Sequence, residues 1–325
     1  MRFIPKCLSI PPRIGALLGN QVVDLAVAYR SYLLASNQCS KEGAYRLTEA
    51  LLPENMVVFL ENGDLALDAA RIAFNFIKSE GEISAQTGEK TRFQAEEVRL
   101  LAPIEKPRNL RDFLSFELHL KNARGRRGAE VPPAWYEIPV YYKGNVSTIV
   151  GPNEPIKWPS YSNSMDYELE FACILGKSGR DIKEEDAEKY IFGYTIMNDF
   201  SARDIQLKEM SVGLGPAKGK DFATALGPYI ITKDELPDPY QLRMIARVNG
   251  EVWSDGNSNT IYRKFPQMIA YASQGEDLSA GDIFGSGTVG TGCGLELGRQ
   301  LKDGDIVELE IDGLGILRNQ VFSRE

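Results

Sequence analysis

Histidine is almost absent from the sequence, because His119 is the only one among 325 residues. Any mechanism that needs an imidazole as acid or base must therefore use this side chain, and a metal site built from several histidines is excluded. Cysteine is also scarce: Cys7, Cys39, Cys173 and Cys293 lie far apart and form no C-x-x-C pair. This spacing argues against a zinc ribbon or a disulfide framework and favours a reducing, cytoplasmic location.

Long apolar runs and excess positive charge are missing as well. No 18 apolar residues follow one another, and the apolar stretch after Lys6 is broken by Pro11, Pro12 and Arg13. We therefore expect no signal peptide and no membrane partner. Lysine and arginine number 37 against 45 aspartates and glutamates, which gives a net charge of −8. This balance argues against nucleic acid as a partner and favours a small-molecule ligand.

The pattern of apolar residues divides the chain into two parts. Apolar residues recur at three and four positions, the spacing of a helix, over residues 24–35, 41–52 and 64–78. A β-hairpin is predicted before them around Gly19, and proline steps at Pro103 and Pro107 follow them. Beyond these prolines, short β-rich runs separated by Gly and Pro predict a mixed or antiparallel sheet. We expect an α+β fold with an N-terminal domain over residues 1–105 and a catalytic domain over 106–325.

Four acidic residues of the second part form a candidate metal site. Glu168 and Glu170 are two apart on a predicted strand, so their side chains lie on one face. At about 5 Å and an effective dielectric near 20 their repulsion is on the order of 3 kcal/mol, which calls for a cation, a shared proton or open solvent. Asp199 ends the next apolar strand, and Asp112 lies upstream near His119. These oxygen ligands would select Mg²⁺, Ca²⁺ or Mn²⁺, although the solvated face of an edge strand is the alternative.

Two short helices are predicted in the second part. Ser201 followed by Asp204 is typical of an N-terminal cap, which predicts a helix over about residues 202–210 and leaves Asp199 free for another role. The other helix is expected over residues 264–273.

The order of these residues resembles the fumarylacetoacetate hydrolase family. The matching motifs are Asp112 with His119 seven residues later, Glu168-x-Glu170, the run from Asn198 to Gln206, Gly219-Lys220-Asp221-Phe222 and Ser286-Gly287-Thr288. The similarity extends from about Pro107 to the C-terminus. It implies a homodimer with a mixed β-roll catalytic domain and a smaller N-terminal α+β domain. It also implies a magnesium- or calcium-dependent attack on a 1,3-dicarbonyl or 2-oxo acid.

The resemblance implies a role for each matching side chain. The residues that resemble the metal ligands of the family are Asp112, Glu168, Glu170 and Asp199. His119 resembles the general base that activates water, and Glu296 resembles the carboxylate that orients this base. Lys220 resembles the catalytic cation that receives developing negative charge, with a surface lysine as the alternative. The implied substrate contacts are Tyr142, Arg203, Gln206 and Thr288.

A basic segment follows the histidine directly. Residues 121–128 carry Lys121, Arg124, Arg126 and Arg127 among flexible glycines. We expect a mobile lid that closes over an anionic substrate and contacts it through Arg126 or Arg127. The alternative is a solvated loop with no role in substrate binding.

The leading functional hypothesis is a divalent-metal-dependent hydrolase that cleaves a C–C bond of an acylpyruvate or related β-diketo acid. The same constellation resembles isomerases, decarboxylases and sugar-acid dehydratases of the family, which act through a metal-bound enolate. A non-catalytic metal-binding scaffold is the third alternative, because a fold by itself does not prove activity.

Overall fold

A computed structural model describes residues 1–6, 11–80, 88–126 and 128–323 of the chain. It contains two compact units, Met1–Ile104 and Glu105–Glu325. The sequence predicts this division one residue later, between 105 and 106. Among the described residues, none of the helices combines the length and the apolar character needed to cross a membrane.

The first unit is an antiparallel sheet accompanied by helices. Its strands, in the sheet order β4-β3-β2-β1-β5, are β1 (Arg2–Pro5), β2 (Arg13–Leu18), β3 (Gln21–Asp24), β4 (Arg92–Gln94) and β5 (Val98–Leu101). Its helices are α1 (Leu25–Ala35), α2 (Lys41–Leu51), α3 (Met56–Glu61) and α4 (Gly63–Glu80), with a short 3₁₀ turn at Ala95–Glu97. The predicted hairpin is present, because Leu18 pairs with Gln21 and Gly19 takes the positive φ of 59° that favours glycine. The Asp24 side chain caps α1 by accepting a hydrogen bond from Val27 N.

The second unit contains most of the strands. The strands between residues 110 and 175 are β6 (Leu110–Phe113), β7 (Tyr141–Lys143), β8 (Ile149–Val150), β9 (Pro155–Lys157), β10 (Met165–Asp166) and β11 (Leu169–Leu175). Those that follow are β12 (Ile191–Asp199), β13 (Ser201–Ala202), β14 (Thr224–Thr232), β15 (Arg243–Val248), β16 (Glu251–Asn257), β17 (Ile283–Gly285), β18 (Ile306–Ile311) and β19 (Gly315–Phe322). The helices are α5 (Glu117–Gly125), α6 (Pro133–Glu137), α7 (Glu184–Ala187), α8 (Arg203–Ser211), α9 (Phe265–Ala272) and α10 (Gly294–Leu297), with 3₁₀ turns at Glu188–Tyr190 and Ser258–Thr260.

Two mixed sheets of the second unit pack face to face. One has the order β7-β6-β17-β11-β12-β14-β8 and the other β16-β15-β18-β19-β9, while β10 and β13 form a separate pair. Parallel pairs occur at β17 with β6, β14 with β8 and β19 with β9; the other pairs are antiparallel. Leu169, Phe171 and Cys173 point into the core that β15, β18, β19 and α9 share. The opposite face therefore presents Glu170 of β11, and Glu168 directly before this strand, away from the core, as the alternation of an extended chain requires.

The structure corrects one local prediction. The helix after Asp199 is α8, but its N-terminal cap is Ala202 and no side chain caps it. The Ser201 hydroxyl donates instead to the Asp199 carbonyl. Asp204 accepts hydrogen bonds from the Ser162 hydroxyl and Asn163 N. The cap prediction is wrong because the Ser201 hydroxyl bonds to a carbonyl that precedes the helix and not to an N–H group of its first turn.

Candidate active site

Four neighbouring strands bring the acidic residues together. Asp112 lies on β6 opposite Gly285 of β17, and β17 in turn pairs with β11, which carries Glu170. A Cβ at Gly285 would collide with Asp112 Oδ1 and with Met197 Cε. Glycine is therefore required between these strands, because its missing side chain leaves the space that the Asp112 carboxylate occupies.

Three carboxylates form a compact cluster. Oxygen atoms of Asp112, Glu168 and Asp199 lie within 4.8 Å of one another, and all three residues are buried. Among the described residues, Asp112 Oδ1 and Asp199 Oδ1 have no hydrogen-bond partner. Buried carboxylate oxygens without donors and an all-oxygen donor set fit a hard divalent cation.

Glu170, the fourth predicted ligand, lies close enough to Asp112 for repulsion between the two carboxylates to raise its pKa. Its Oε2 accepts from Gly287 N at 3.1 Å, and its Oε1 accepts from the Thr288 hydroxyl at 3.2 Å. The edge-strand alternative for Glu168 and Glu170 is wrong, since β11 is central in its sheet and buried along its whole length.

Lys220 places a positive charge at this cluster. Its Nζ lies 2.6 Å from Glu168 Oε2 and 2.5 Å from Asp199 Oδ2, and the residue is only 4% exposed. The surface-lysine alternative is therefore wrong. The Tyr142 hydroxyl donates to Asp199 Oδ2 at 2.7 Å, so this predicted substrate contact also lies at the cluster.

The loop that carries Lys220 is held by a carboxylate that the motifs did not reveal. Glu209, in the last turns of α8, accepts hydrogen bonds of 2.7–3.1 Å from three successive backbone N–H groups, those of Ala217, Lys218 and Gly219. Burial raises the pKa of Glu209, but these N–H groups lower it by more. The ionised Glu209 side chain thus anchors the loop directly before Lys220.

Arg203 connects the cluster to a buried aspartate. Its Nε donates to Asp166 Oδ2 at 2.8 Å, and its Nη1 lies 2.8 Å from Glu168 Oε1 and donates to Gln206 Oε1. The guanidinium of this predicted substrate contact is thus engaged by protein carboxylates. Asp166 also accepts from the backbone N–H of Gly294 and Leu295 at the start of α10. Asp166 was not among the predicted site residues, although it precedes Glu168 by only two residues.

The pKa values of the clustered carboxyls diverge. Burial raises the pKa of Glu168, yet the positive charges of Lys220 and Arg203 lower it by more, to about 2 overall. Burial raises the pKa of Asp112 and Glu170, and repulsion from neighbouring carboxylates raises it further. Repulsion therefore disfavours ionisation of both carboxyls at once, and a bound cation would relieve it.

His119 and Glu296 form a hydrogen-bonded pair. His119 projects from α5 and Glu296 from α10, and His119 Nδ1 lies 2.8 Å from Glu296 Oε2. Asn122 Nδ2 and Thr291 N each donate to Glu296 Oε1 at 2.9 Å. Burial raises the pKa of Glu296, but these partners lower it by more, so the carboxylate is ionised. Asn122 was not among the predicted site residues, although it lies three residues after His119 on the same helix face.

The predicted lid is largely a helix. Lys121 and Arg124 lie within α5, where Lys121 pairs with Glu117 one turn earlier and Arg124 Nε donates to the Glu130 carbonyl. A mobile loop over residues 121–125 is therefore wrong, because helical hydrogen bonds and the burial of His119, Leu120 and Ala123 hold this segment in α5. Arg127 lies outside the described residues.

A cavity of about 240 Å³ opens beside Arg126. The residues that line it are Arg126, Ser164, Met165, Asp166, Arg203, Leu295, Gly298, Arg299 and Gln300. Arg126 Nη2 donates to the carbonyl of Glu296, which places the guanidinium next to α10. Because Arg203 lines the cavity and also contacts Glu168, the cavity adjoins the carboxylate cluster.

Known proteins resemble this chain in sequence and in fold. The family model for the fumarylacetoacetate (FAA) hydrolase C-terminal domain matches residues 109–322. The oxaloacetate tautomerase fahd2 of Xenopus laevis, named as mitochondrial, is 36% identical over 318 residues, which cover 96% of this chain and 87% of that protein. The oxaloacetate tautomerase YisK of Bacillus subtilis is 30% identical over 272 residues, covering 83% of this chain and 87% of that protein.

A solved structure extends the likeness to the fold. The fumarylacetoacetate hydrolase of Exiguobacterium antarcticum superposes with a TM-score of 0.71 at 27% identity, covering 100% of both chains. The predicted α+β fold of the fumarylacetoacetate hydrolase type is thereby confirmed.

Proposed function

The chain belongs to the fumarylacetoacetate hydrolase family, and from that premise we propose that it is a divalent-cation-dependent tautomerase of a small 2-oxo dicarboxylic acid such as oxaloacetate. The observation that carries the proposal is the buried His119–Glu296 pair, in which a carboxylate orients the chain's single imidazole. The frog and Bacillus relatives that bear the name oxaloacetate tautomerase support the choice of substrate class.

The carboxylate cluster would hold the cation. Asp112, Glu168 and Asp199 would be its ligands, with Glu170 completing the set beside Asp112. A bound Mg²⁺, Mn²⁺ or Ca²⁺ would polarise the carbonyl of a 2-oxo acid and thereby acidify the adjacent carbon. The orphaned oxygens of Asp112 and Asp199 support this assignment.

His119 would move the proton. Because the ionised Glu296 accepts from Nδ1, the imidazole hydrogen resides on Nδ1 and Nε2 is left to accept a proton from the substrate carbon. The hydrogen bonds that Asn122 and Thr291 donate to Glu296 fix the orientation of this pair. The imidazole and solvent would then be sufficient to carry the proton between the substrate carbon and oxygen.

Lys220 would stabilise the negative charge that develops on the substrate oxygen. Burial lowers the pKa of this lysine, but Asp199 and Glu168 raise it by more, above the ordinary lysine value. The side chain therefore remains an ammonium ion and acts as a fixed positive charge rather than as a base. Tyr142, Gln206 and Thr288 remain proposed substrate contacts, since each lies against a cluster carboxylate or its partner Arg203.

A second anionic group of the substrate would lie in the cavity beside Arg126. A guanidinium at its edge and the adjoining carboxylate cluster suit a short diacid, with one carboxylate at the metal and the other near Arg126.

Hydrolysis of a C–C bond in an acylpyruvate is the second candidate. It is favoured by the same His119–Glu296 pair, because an imidazole oriented by a carboxylate also activates water. We further propose a homodimer, a cytoplasmic location and no nucleic-acid or membrane partner. Sedimentation measurements would test the assembly.

One assay separates the candidates. Enol oxaloacetate is mixed with the enzyme and Mg²⁺, and decay of the enol ultraviolet absorbance and deuterium uptake at C3 are followed. Parallel samples contain acylpyruvates, and their fragments are read by mass. Tautomerisation predicts accelerated enol decay and deuterium uptake without fragments. Fragments from acylpyruvates without enol acceleration would favour hydrolysis, and inertness toward every substrate would favour the non-catalytic scaffold.

A further inference from the structure

A second cluster of metal-ligating side chains lies beside the carboxylate cluster. His119, Cys293 and Glu296 each offer one donor atom, and these nitrogen, sulfur and oxygen atoms lie within 4.8 Å of one another. Glu296 Oε2 is 2.8 Å from His119 Nδ1 and 3.3 Å from Cys293 Sγ. All three residues are at least nine-tenths buried. This set contains the chain's single histidine together with a buried thiol.

We propose that His119, Cys293 and Glu296 form a separate site for Zn²⁺ or a similar borderline-soft cation, and that an ion bound there inhibits the enzyme. Zinc takes ligands of these three types at about 2.0–2.3 Å, and a tetrahedral arrangement separates nitrogen and oxygen ligands by about 3.3 Å and sulfur and oxygen ligands by about 3.5 Å. The distance from Cys293 Sγ to Glu296 Oε2 is already close to that separation. The distance from His119 Nδ1 to Glu296 Oε2 needs to increase by roughly half an ångström, once zinc replaces their hydrogen bond.

Hydrogen bonds to Glu296 Oε1 orient its other oxygen, Oε2, as a metal ligand. Asn122 Nδ2 and Thr291 N hold Oε1, so Oε2 is directed toward the imidazole and the thiol. Outer partners that orient a ligand in this way are typical of metal sites. Three protein ligands leave a fourth position for water, as in zinc sites that are not closed.

The two clusters differ in the ions that they prefer. Asp112, Glu168 and Asp199 supply oxygen alone, which suits Mg²⁺, Ca²⁺ or Mn²⁺. A set that contains thiolate and imidazole suits Zn²⁺ instead, and Mg²⁺ competes poorly for it. An excess of Mg²⁺ therefore leaves the second cluster open to zinc.

Inhibition follows from the chemistry of the imidazole. Of the two parts of the proposal, zinc binding and inhibition, only inhibition rests on the proposed function. When Nδ1 of a neutral imidazole binds zinc, the ring hydrogen moves to Nε2. His119 then has no free nitrogen to accept a proton from the substrate. The Cys293 thiol loses its proton to solvent as the thiolate binds, so one proton is released for each zinc ion bound.

Cobalt spectroscopy tests the site without any turnover. Co²⁺ is added to the metal-free enzyme in excess Mg²⁺, and the sulfur-to-cobalt charge-transfer band in the near ultraviolet is recorded. We expect a band that saturates at one Co²⁺ per chain, that Zn²⁺ abolishes, and that is missing from Cys293→Ser. Cys39→Ser is the matched control and should keep the band. Absence of the band from the wild-type enzyme, or its persistence in Cys293→Ser, would overturn the proposal.

Calorimetry gives a second measurement. In excess Mg²⁺, Cys293→Ser should weaken zinc binding by more than the roughly 10- to 100-fold that loss of an outer partner costs. Thermal melting tests whether Cys293→Ser is folded. If the variant is unfolded, the cobalt spectrum of the wild-type enzyme tests the site by itself. Zinc binding at this site with no inhibition would leave the site standing and contradict the role of His119, whereas equal zinc affinity in the variant and the wild type would overturn the site itself.

Discussion

His119 Nδ1 lies 2.8 Å from Glu296 Oε2, although 177 residues separate the two in the chain. The contact joins α5 to α10, and it gives the chain's single imidazole a defined orientation and a defined tautomer. The carboxylate carries its own support in Asn122 and Thr291. The role proposed for the pair is to exchange protons with a ligand, and its removal makes the most direct test of mechanism.

Replacing His119 with Ala should lower kcat by roughly 10²- to 10⁴-fold, the usual contribution of a general base. Mg²⁺ affinity should change little, because the carboxylate cluster is intact. Steady-state kinetics and calorimetry on the same protein measure the two effects. Wild-type turnover in His119→Ala would contradict the role of the imidazole and leave Lys220 or the metal as the source of catalysis.

Replacing Glu296 with Gln should change how stability depends on pH. The pKa of Glu296 is lowered in the folded protein, so its ionised form contributes stability above the unfolded glutamate pKa of about 4.3, and this contribution is lost as pH falls below that value. The difference in free energy of unfolding between wild type and Glu296→Gln should be largest above about pH 5 and shrink in acid. Urea unfolding at several pH values measures it. Glu130→Gln, at an exposed position, is the control and should show no such trend.

Replacing Lys220 with Met should affect both catalysis and stability. Loss of the ammonium should lower kcat by roughly 10²- to 10³-fold, as for other groups that stabilise developing negative charge. Without a cation, Asp199 loses the buried ammonium beside it and keeps the Tyr142 hydroxyl, while Glu168 keeps Arg203; breaking these two buried ion pairs should cost about 3–5 kcal/mol of unfolding free energy. Mg²⁺ should restore part of that loss. Lys218→Met, two residues earlier and exposed, should behave as wild type in kinetics and melting.

Activity should require a divalent cation, and exhaustive chelation should abolish it. Glu170→Gln should weaken Mg²⁺ binding, because it removes one of the charges that attract the ion. The metal-free variant should melt at or above the wild-type temperature, since the substitution relieves repulsion between Glu170 and Asp112. Calorimetry and thermal melting check both effects. Full turnover after chelation, or unchanged Mg²⁺ affinity in the variant, would argue against the metal site.

Replacing Arg126 with Gln should raise KM for a diacid far more than for a monoacid with an apolar tail. A charge-assisted pair with the second carboxylate is worth about 1.5–3 kcal/mol, which corresponds to roughly 10- to 150-fold in KM. Arg124→Gln removes a nearby guanidinium that contacts the Glu130 carbonyl instead, and is the control. Equal effects on both substrates would show that Arg126 does not select for the second carboxylate.

The sequence alone was sufficient for features that depend on neighbouring residues. The hairpin at Gly19 and the helices α1, α2 and α4 follow from local turn chemistry and apolar spacing, and β18 begins and ends where the pattern predicted. Glu168 and Glu170 share a face because a strand alternates its side chains. The motifs from Asp112 to Thr288 identified the family, and that identification is confirmed.

Other features depend on residues far apart in the chain, and only the tertiary structure decided them. Asp166 joins Arg203 to the start of α10, and Glu209 anchors the loop before Lys220; neither contact leaves a mark in the local pattern. Ser201 had the sequence of a helix cap but took a different partner, because the native chain offered its hydroxyl the Asp199 carbonyl. The residues after His119 were expected to be a mobile loop, yet packing of their apolar face makes them helical. Such choices are set by the register between strands and by which buried polar groups find one another, and those are determined only when the whole chain has folded.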